Sequence, residues 1–318
     1  LIYIIKRWDK NMFQPVNLAV SSNNKFFVVD FGDNTVKVYS SLDDLTVPDN
    51  IITSFNFNEK SFSFPDVLIK PAVEEVIQEG LVVVDGMSEK LFVSDPFNHV
   101  VKVYNANTLE LVTTLGGFGS GDRQFNQPGG MALDNRGYLH VVDTGNHRIS
   151  VWRAETDIMF SHVMNYSYLG HGDDGGLYYP TDIIHYYNNI MYVADSGHNR
   201  IVSFDDGDET DPYVIKKLDE YVGHEYNNLG QLSLTTRTFP VISLETYGTN
   251  FYLTDLYTSN VIKFDASWIE EEDPLFIYGF GTKKVKFPKG MLILNIDSTN
   301  KMYVADTISG EIEIIELH

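Results

Sequence analysis

FNQPGGMALDNRGYLHVVDTGNHRISVW at 125–152 and LYYPTDIIHYYNNIMYVADSGHNRIVSF at 177–204 are two copies of one pattern. In each copy a proline precedes an aspartate by fifteen positions, Pro128 to Asp143 and Pro180 to Asp195. Short runs of Val, Ile, Met and Tyr, broken by Asn, Gly and Asp, fill the interval and continue beyond it. Runs of this kind, bounded by turn residues, are strands. Self-similarity at this scale marks a repeat architecture, and it outranks every other reading of the chain.

The frame recurs on either side of the pair. FQPVNLAV leads to FFVVD, with Pro15 and Asp30 fifteen apart, and FPVISL leads to FYLTD, with Pro240 and Asp255 fifteen apart. FPKGMLIL leads to MYVAD with Pro288 and Asp306 eighteen apart, which calls for a longer first turn. The remaining copy is read at EGLVVVDGMSEKLFVSD, ending at Asp95, with Glu79 standing for the proline one residue further out. Asp30, Asp95, Asp143, Asp195, Asp255 and Asp306 therefore mark six copies. Three or four short strands in a repeat of roughly 40–50 residues is the pattern of a propeller blade. In the third copy the strands are expected near 129–133, 138–142, 147–152 and 158–163.

The ends fit the same plan. The last copy stops after EIEIIEL at 311–317, its third strand, while IYII at 2–5 is a strand with no partner in its own copy. Placing 2–5 beside 311–317 leaves no sheet edge open at the junction. The expected fold is all-β: a six-bladed β-propeller of four-stranded antiparallel blades, one domain over 1–318, with the N-terminal strand completing blade six.

Composition bounds the function. A chain of 318 residues, 43% hydrophobic, buries a large core without covalent staples. Having no cysteine, it has no disulfide, thiolate metal site or cysteine nucleophile. Acidic residues outnumber basic ones 44 to 23, giving a formal net charge of −21. Nucleic-acid affinity rests on Lys and Arg neutralising phosphates, so a nucleic-acid partner is not expected. The sequence holds no apolar run of membrane-spanning length. It begins at Leu1 rather than Met, which fits a processed protein or a piece of a larger chain or assembly. The compartment stays open, with a lean toward a secreted or extracellular setting.

DTGNHRI at 143–149, DSGHNRI at 195–201 and GGFGSGDRQFNQP at 116–128 resemble the signature of NHL repeats. The resemblance covers nearly the whole chain and is closest in copies three and four. In copies two, five and six Phe97, Tyr257 and Ile308 replace the turn glycine. The resemblance implies a rigid propeller that works through its loops. With strands a to d running outward from the axis, the d-to-a and b-to-c loops share one face.

Two loops on that face read as long: 56–79, with a short amphipathic helix at 71–78 after Pro71, and 219–238. Together they either fold back on the rim or wall a groove across that face. The partner-binding candidates are Phe31, Phe97, Tyr257, Arg148 and Arg200, because aromatic and Arg side chains anchor interfaces. His147 and His198 lie in the same turns. The repeated Asp is read as structural, bonding nearby backbone N–H groups.

Two enzyme readings concern the axis. Amidating lyases with NHL-like propellers hold zinc on three axial histidines. PTDII at 180–184 resembles one of their ligand segments, but Thr181 stands where histidine would be, and of the nine histidines only His185 falls on an innermost strand. Calcium-dependent lactonase-type propellers need several oxygen ligands. Asn17 and Asp182 are the candidates here, for a structural cation in the axial channel. No other cofactor is expected. The leading expectation is a non-catalytic interaction scaffold for a protein, peptide or glycan. The rivals are a metal-dependent lyase or hydrolase at the axial channel, and RNA binding through a locally basic face.

Overall fold

The fifteen-residue frame is a β-hairpin. Pro15 pairs with Asp30, Pro128 with Asp143 and Pro288 with Asp306 across the first two strands of their sheets. Proline opens the inner strand, where its missing N–H costs no ladder bond. Aspartate closes the second strand, where its carboxylate can cap the turn.

The computed structural model describes residues 4–8, 12–41, 47–53, 55, 65–70, 88–167, 176–186, 190–198, 200–205, 216–222, 225–226, 232–233, 241–248, 250–255, 260–265 and 288–317. A lone strand, β1 (Ile4–Trp8), comes first. The first sheet is β2 (Pro15–Val20), β3 (Phe26–Asp30), β4 (Thr35–Tyr39) and β5 (Asn50–Ile52). The second is β6 (Val67–Lys70), β7 (Lys90–Asp95), β8 (Val100–Asn105) and β9 (Leu111–Gly116). The third is β10 (Pro128–Leu133), β11 (Leu139–Asp143), β12 (Arg148–Ala154) and β13 (Phe160–Tyr166). The fourth is β14 (Asp182–Tyr186), β15 (Ile190–Asp195), β16 (Arg200–Asp205) and β17 (Lys216–Val222). After it stands a two-residue ladder, β18 (Glu225–Tyr226) with β19 (Leu232–Ser233). Next come β20 (Val241–Tyr247), β21 (Asn250–Asp255) and β22 (Asn260–Asp265). The last group is β23 (Pro288–Ile296), β24 (Thr299–Asp306) and β25 (Glu311–Leu317), with β1 added beside β25.

The fold is a β-propeller of antiparallel blades. Five sheets have four strands, against the six expected; the β20–β22 sheet has three among the described residues. The N-terminal strand is Ile4–Trp8 rather than 2–5, and Ile4 lies opposite Ile315 and Lys6 opposite Ile314.

The core lies between the sheets, not within them. Strand β3 is buried along its whole length. Its alternate residues serve two different neighbours: Phe27 and Val29 pack toward the second sheet with Val67, Leu91 and Val93, while Phe26 and Val28 pack toward the last with Tyr303 and Ile312. Period-two alternation thus places apolar side chains on both faces of a strand that has a sheet on each side. The same division recurs at Phe92, which meets Met131, Leu139 and Val141 of the third sheet.

The second copy departs from the sequence reading. Its inner strand is Val67–Lys70, directly after Pro65 and Asp66, and Val67 pairs with Val93 and Lys70 with Lys90. The frame proline is therefore Pro65, thirty positions before Asp95. The residues expected as an inner strand, from Glu79, and the helix expected at 71–78 lie outside the described residues. The segment 56–79 is not one inter-blade loop, because it contains β6. Residues 71–87 fall between strands a and b in the sequence. The second expected loop, 219–238, likewise begins inside β17 and contains β18 and β19.

In three sheets the repeated aspartate holds the blade to the chain entering it. Asp30, Asp95, Asp143, Asp195 and Asp306 are fully buried. Asp30 accepts from the backbone N–H of Phe13 at 2.9 Å and Gln14 at 2.8 Å, Asp143 from Asn126 at 2.6 Å, and Asp195 from Tyr178 at 2.6 Å. A cation from the start of strand c compensates the charge: Lys37 on Asp30, Lys102 on Asp95 at 2.9 Å, Arg148 on Asp143 at 2.7 Å and Arg200 on Asp195 at 2.7 Å. Burial still pushes the Asp143 carboxyl above its usual range.

Removing one member of a buried ion pair costs about 3–5 kcal/mol. Asp143→Ala is expected to lower stability by about that amount in urea unfolding, because it leaves Arg148 and the Asn126 N–H without their acceptor. Glu155→Ala, which removes a surface partner of Arg153, is expected to leave the midpoint nearly unmoved.

Candidate functional site

The b-to-c turns are built on a positional rule. The residue after the repeated Asp points inward: Phe31, Pro96, Thr144 and Thr307 are all buried. The next residue points outward, and there Phe97 and Ile308 are exposed. The Phe31 side chain is thus buried rather than presented to solvent, contrary to expectation. It is a core residue packed with Val16, Val36 and Val67. Phe97 is presented to solvent as expected, and Tyr257 lies outside the described residues.

Where the outward position is glycine, close approach is the reason, rather than a positive φ. A Cβ on Gly145 would lie 2.6 Å from the Asn126 side chain, and on Gly197 it would run into the Tyr178 carbonyl. Both glycines bond those loops through the backbone, Gly145 to Asn126 at 2.7 Å and Gly197 to Tyr178 at 2.8 Å. The left-handed position falls instead on Asn34, His99 and His147, with φ between 57° and 61°.

Arg148 and Arg200 are committed to the fold. Beyond Asp143, the Arg148 guanidinium donates to the carbonyls of Ser120, Gly121 and Gln124, each at 2.8–2.9 Å. It braces the loop that displays Phe118, which Gly117 and Gly119 flank at φ of 143° and 147°, a region open to glycine. Arg200 is buried on Asp195. Both arginines therefore brace the turns of this face.

The histidines join neighbouring blades. His99 Nδ1 accepts from the Gln127 N–H and His147 Nδ1 from the Tyr179 N–H, both at 3.0 Å. Nε2 then carries the proton. His99 lies against Phe118 with ring centroids 4.7 Å apart, and His147 stacks on Tyr178 at 5.1 Å. His198 lies 5.3 Å from the other side of Tyr178. Burial pulls both His99 and His147 below the usual histidine range.

This scaffold presents five large apolar side chains on one face. Phe13, Phe97, Phe118, Tyr178 and Ile308 are between 42% and 69% exposed. All five lie in d-to-a or b-to-c loops, on an arc running from the last sheet through the first to the fourth. Sequence reasoning singles out Phe97 and misses the rest as a set. A signal exists: Phe13 and Tyr178 each stand two residues before a frame proline.

The axis is the second candidate. Inner strands bring Asn17, Asp66, Gly130, Asp182, Ser243 and Gly290 to one narrow chamber with room for about one water. The two expected cation ligands are both here, and both are hydrogen-bonded within the ring. Asn17 donates to Asp66 and accepts from the Leu18 N–H at 2.7 Å. Asp182 accepts from the N–H of Ile183 at 2.9 Å and of Leu244, in the next blade, at 2.7 Å. Asp66 accepts from Met131 of the next blade at 2.8 Å. A Cβ on Gly130 would overlap Asp182, and on Gly290 it would overlap Asn17, so both positions require glycine. Among the described residues no group of three or more His, Cys, Asp or Glu side chains gathers as a metal cluster. Burial raises Asp182 to about 6, and burial together with the Asp182 charge raises Asp66 well above its usual value. Lys289, beside the ring, is pulled down to about 7 by burial.

Residues 125–152 match the family model of the NHL repeat, and the propeller fold is consistent with that family. It is 31% identical over 157 residues to NHL repeat-containing protein 2 of Bos taurus, and 30% identical over 160 residues to that of Homo sapiens. Those alignments cover 45% and 46% of this chain but only 21% and 22% of the relatives, so the chain matches about a fifth of their length. Among solved structures it is similar to virginiamycin B lyase from Staphylococcus aureus, with a TM-score of 0.57 and 13% identity over 98% of this chain and 99% of that one. It is also similar to a chain of a nidogen/laminin complex, with a TM-score of 0.53 and 15% identity over 87% and 84%. These likenesses establish the fold alone. No helix among the described residues is long and apolar enough to cross a membrane.

Protonating His147 would turn its acceptor into a donor aimed at the Tyr179 N–H. Its folded pKa lies below the unfolded value of ~6.5, so its stabilising effect is present above that value and is lost as pH falls. His147→Asn keeps a residue that tolerates the left-handed φ. The variant is expected to be about 1 kcal/mol less stable than the parent at pH 8, a gap that narrows toward pH 5.5 in urea titrations.

Proposed function

We propose that this chain is a non-catalytic interaction module that binds a protein, peptide or glycan partner through the face bearing the d-to-a and b-to-c loops. The observation that carries the reading is the arc of Phe13, Phe97, Phe118, Tyr178 and Ile308. Large apolar side chains gathered on one face of a folded domain are the mark of an interaction surface. Aromatic side chains held rigid by their neighbours lose little entropy on binding, and Phe118 and Tyr178 are backed by His99 and His147.

A nucleic-acid partner fits this face poorly. Lys37, Lys102, Arg148 and Arg200 are each paired with a buried aspartate, which leaves them unavailable to phosphates. The architecture behind the face is read as a six-bladed ring over 1–318, completed by β1. Supporting that reading, each inner strand lies against the next in the order β2, β6, β10, β14, β20, β23, and β23 lies against β2. The likenesses to a lyase and to a nidogen/laminin chain are compatible with either class of function, and the surface is what favours binding.

Phe13→Ser, Phe118→Ser and Tyr178→Ser combined are expected to keep the melting temperature of the parent while abolishing selection of ligands from peptide-display and glycan arrays. Ile158→Ser with Met159→Ser, exposed on a c-to-d loop, serves as the control and is expected to bind as the parent does. Ligands that select the triple variant as well as the parent would remove this face from consideration.

A further inference from the structure

Past the axial ring, toward the a-to-b turns, the channel widens into a cavity of about 420 Å³. That lies within the ~300–1,000 Å³ range of small-molecule sites. All six inner strands line it. Its walls are apolar, with Leu68, Met131, Leu133, Ile184, Leu244 and Met291 among them. Its polar groups are the acids Asp66, Asp182 and Glu245 together with Asn17, His185, Ser243 and Thr246, and among the described residues no Lys or Arg is in the lining.

The carboxylates work against one another. Glu245 accepts a local bond from the Thr246 N–H at 2.9 Å, yet burial followed by the Asp182 charge pushes it up to about 7. Three acids lining one cavity, with no Lys or Arg among the described lining residues, point to a guest that compensates them. The space is far larger than a bare metal ion needs, and the described residues gather no metal cluster. An organic cation fills both requirements: a charged head for the acids and an apolar body for the Leu and Met walls.

We propose that this cavity binds a small organic cation, an alkylammonium or guanidinium compound, with its charged end among Asp66, Asp182 and Glu245. The site opens on the face opposite the partner-binding arc, so it is independent of that reading. Binding is coupled to release of the Glu245 proton, and affinity rises with pH. The charges around Glu245 all shift in the same direction as pH rises. Asp182 from β14 and Asp66 from β6 gain negative charge as pH rises, while His185 from β14 and, across the ring, Lys289 from β23 lose positive charge.

Calorimetry on the whole chain tests this with n-butylammonium, 1,4-diaminobutane and n-butylguanidinium as probes. The neutral n-butanol and calcium chloride are the comparisons. Saturable one-to-one binding of at least one organic cation is expected, tightening roughly tenfold between about pH 6 and pH 8 with proton release. Glu245→Gln is expected to weaken it about tenfold or more and to remove the pH dependence. The same variant is expected to melt at or above the parent's temperature at pH 8, which separates lost binding from lost folding. The proposal is overturned if no probe binds at millimolar concentration, if butanol binds as well as the cations, or if Glu245→Gln binds unchanged. Calcium binding that excludes every organic probe overturns it in favour of a metal site. The parent's own pH profile reads the proposal without any variant.

Discussion

A carboxylate buried at the end of the second strand, as at Asp30, Asp95, Asp143, Asp195 and Asp306, is the constraint on which the rest of this structure depends. The side chain of Asp143 reaches no water, so its charge must be met within the protein. It is met by the backbone of the loop entering the blade and by a cation from strand c. One residue therefore fixes three things at once: where the inner strand begins, how the b-to-c turn folds, and which way its second residue points. The display of side chains on the loop face is a consequence of that geometry.

Between blades the forces change character. The cores are apolar and shared by consecutive sheets, so no sheet owns a complete hydrophobic interior. At the axis there is no room for such packing, and polar stitches take over. Asp66 and Asp182 each reach the backbone of the next blade, and glycine stands wherever a neighbour's side chain needs the space. The ring is thus a structural seal, which leaves the wider cavity beyond it as the part of the axis free to hold a guest.

The two faces are chemically unlike. One carries apolar side chains backed by histidines whose neutral form holds adjacent blades together. The other gives access to a cavity with acidic groups set in apolar walls. The two proposed sites thus lie on separate faces, and neither would obstruct the other.

The sequence by itself determined the class of fold, the position of most strands and the structural role of the repeated aspartate. The reason is that the Pro-to-Asp interval is a local quantity: a hairpin of fixed length with a fixed turn writes itself into the spacing. Where an insertion separates strands a and b, as between Lys70 and Lys90, the interval is lost, and the pattern points to Glu79 instead of the true inner strand at Val67. Burial was legible only in part. Phe31 and Phe97 are both aromatics in b-to-c turns, and nothing in their types tells that one faces the core and the other solvent. The role of Arg148 was also closed to sequence, since its partners at Ser120, Gly121 and Gln124 are brought to it by the fold of the loop entering its blade. Only tertiary structure decided the arc and the acidic cavity, because each is assembled from single residues of several blades, and distance along the chain carries no record of nearness in space.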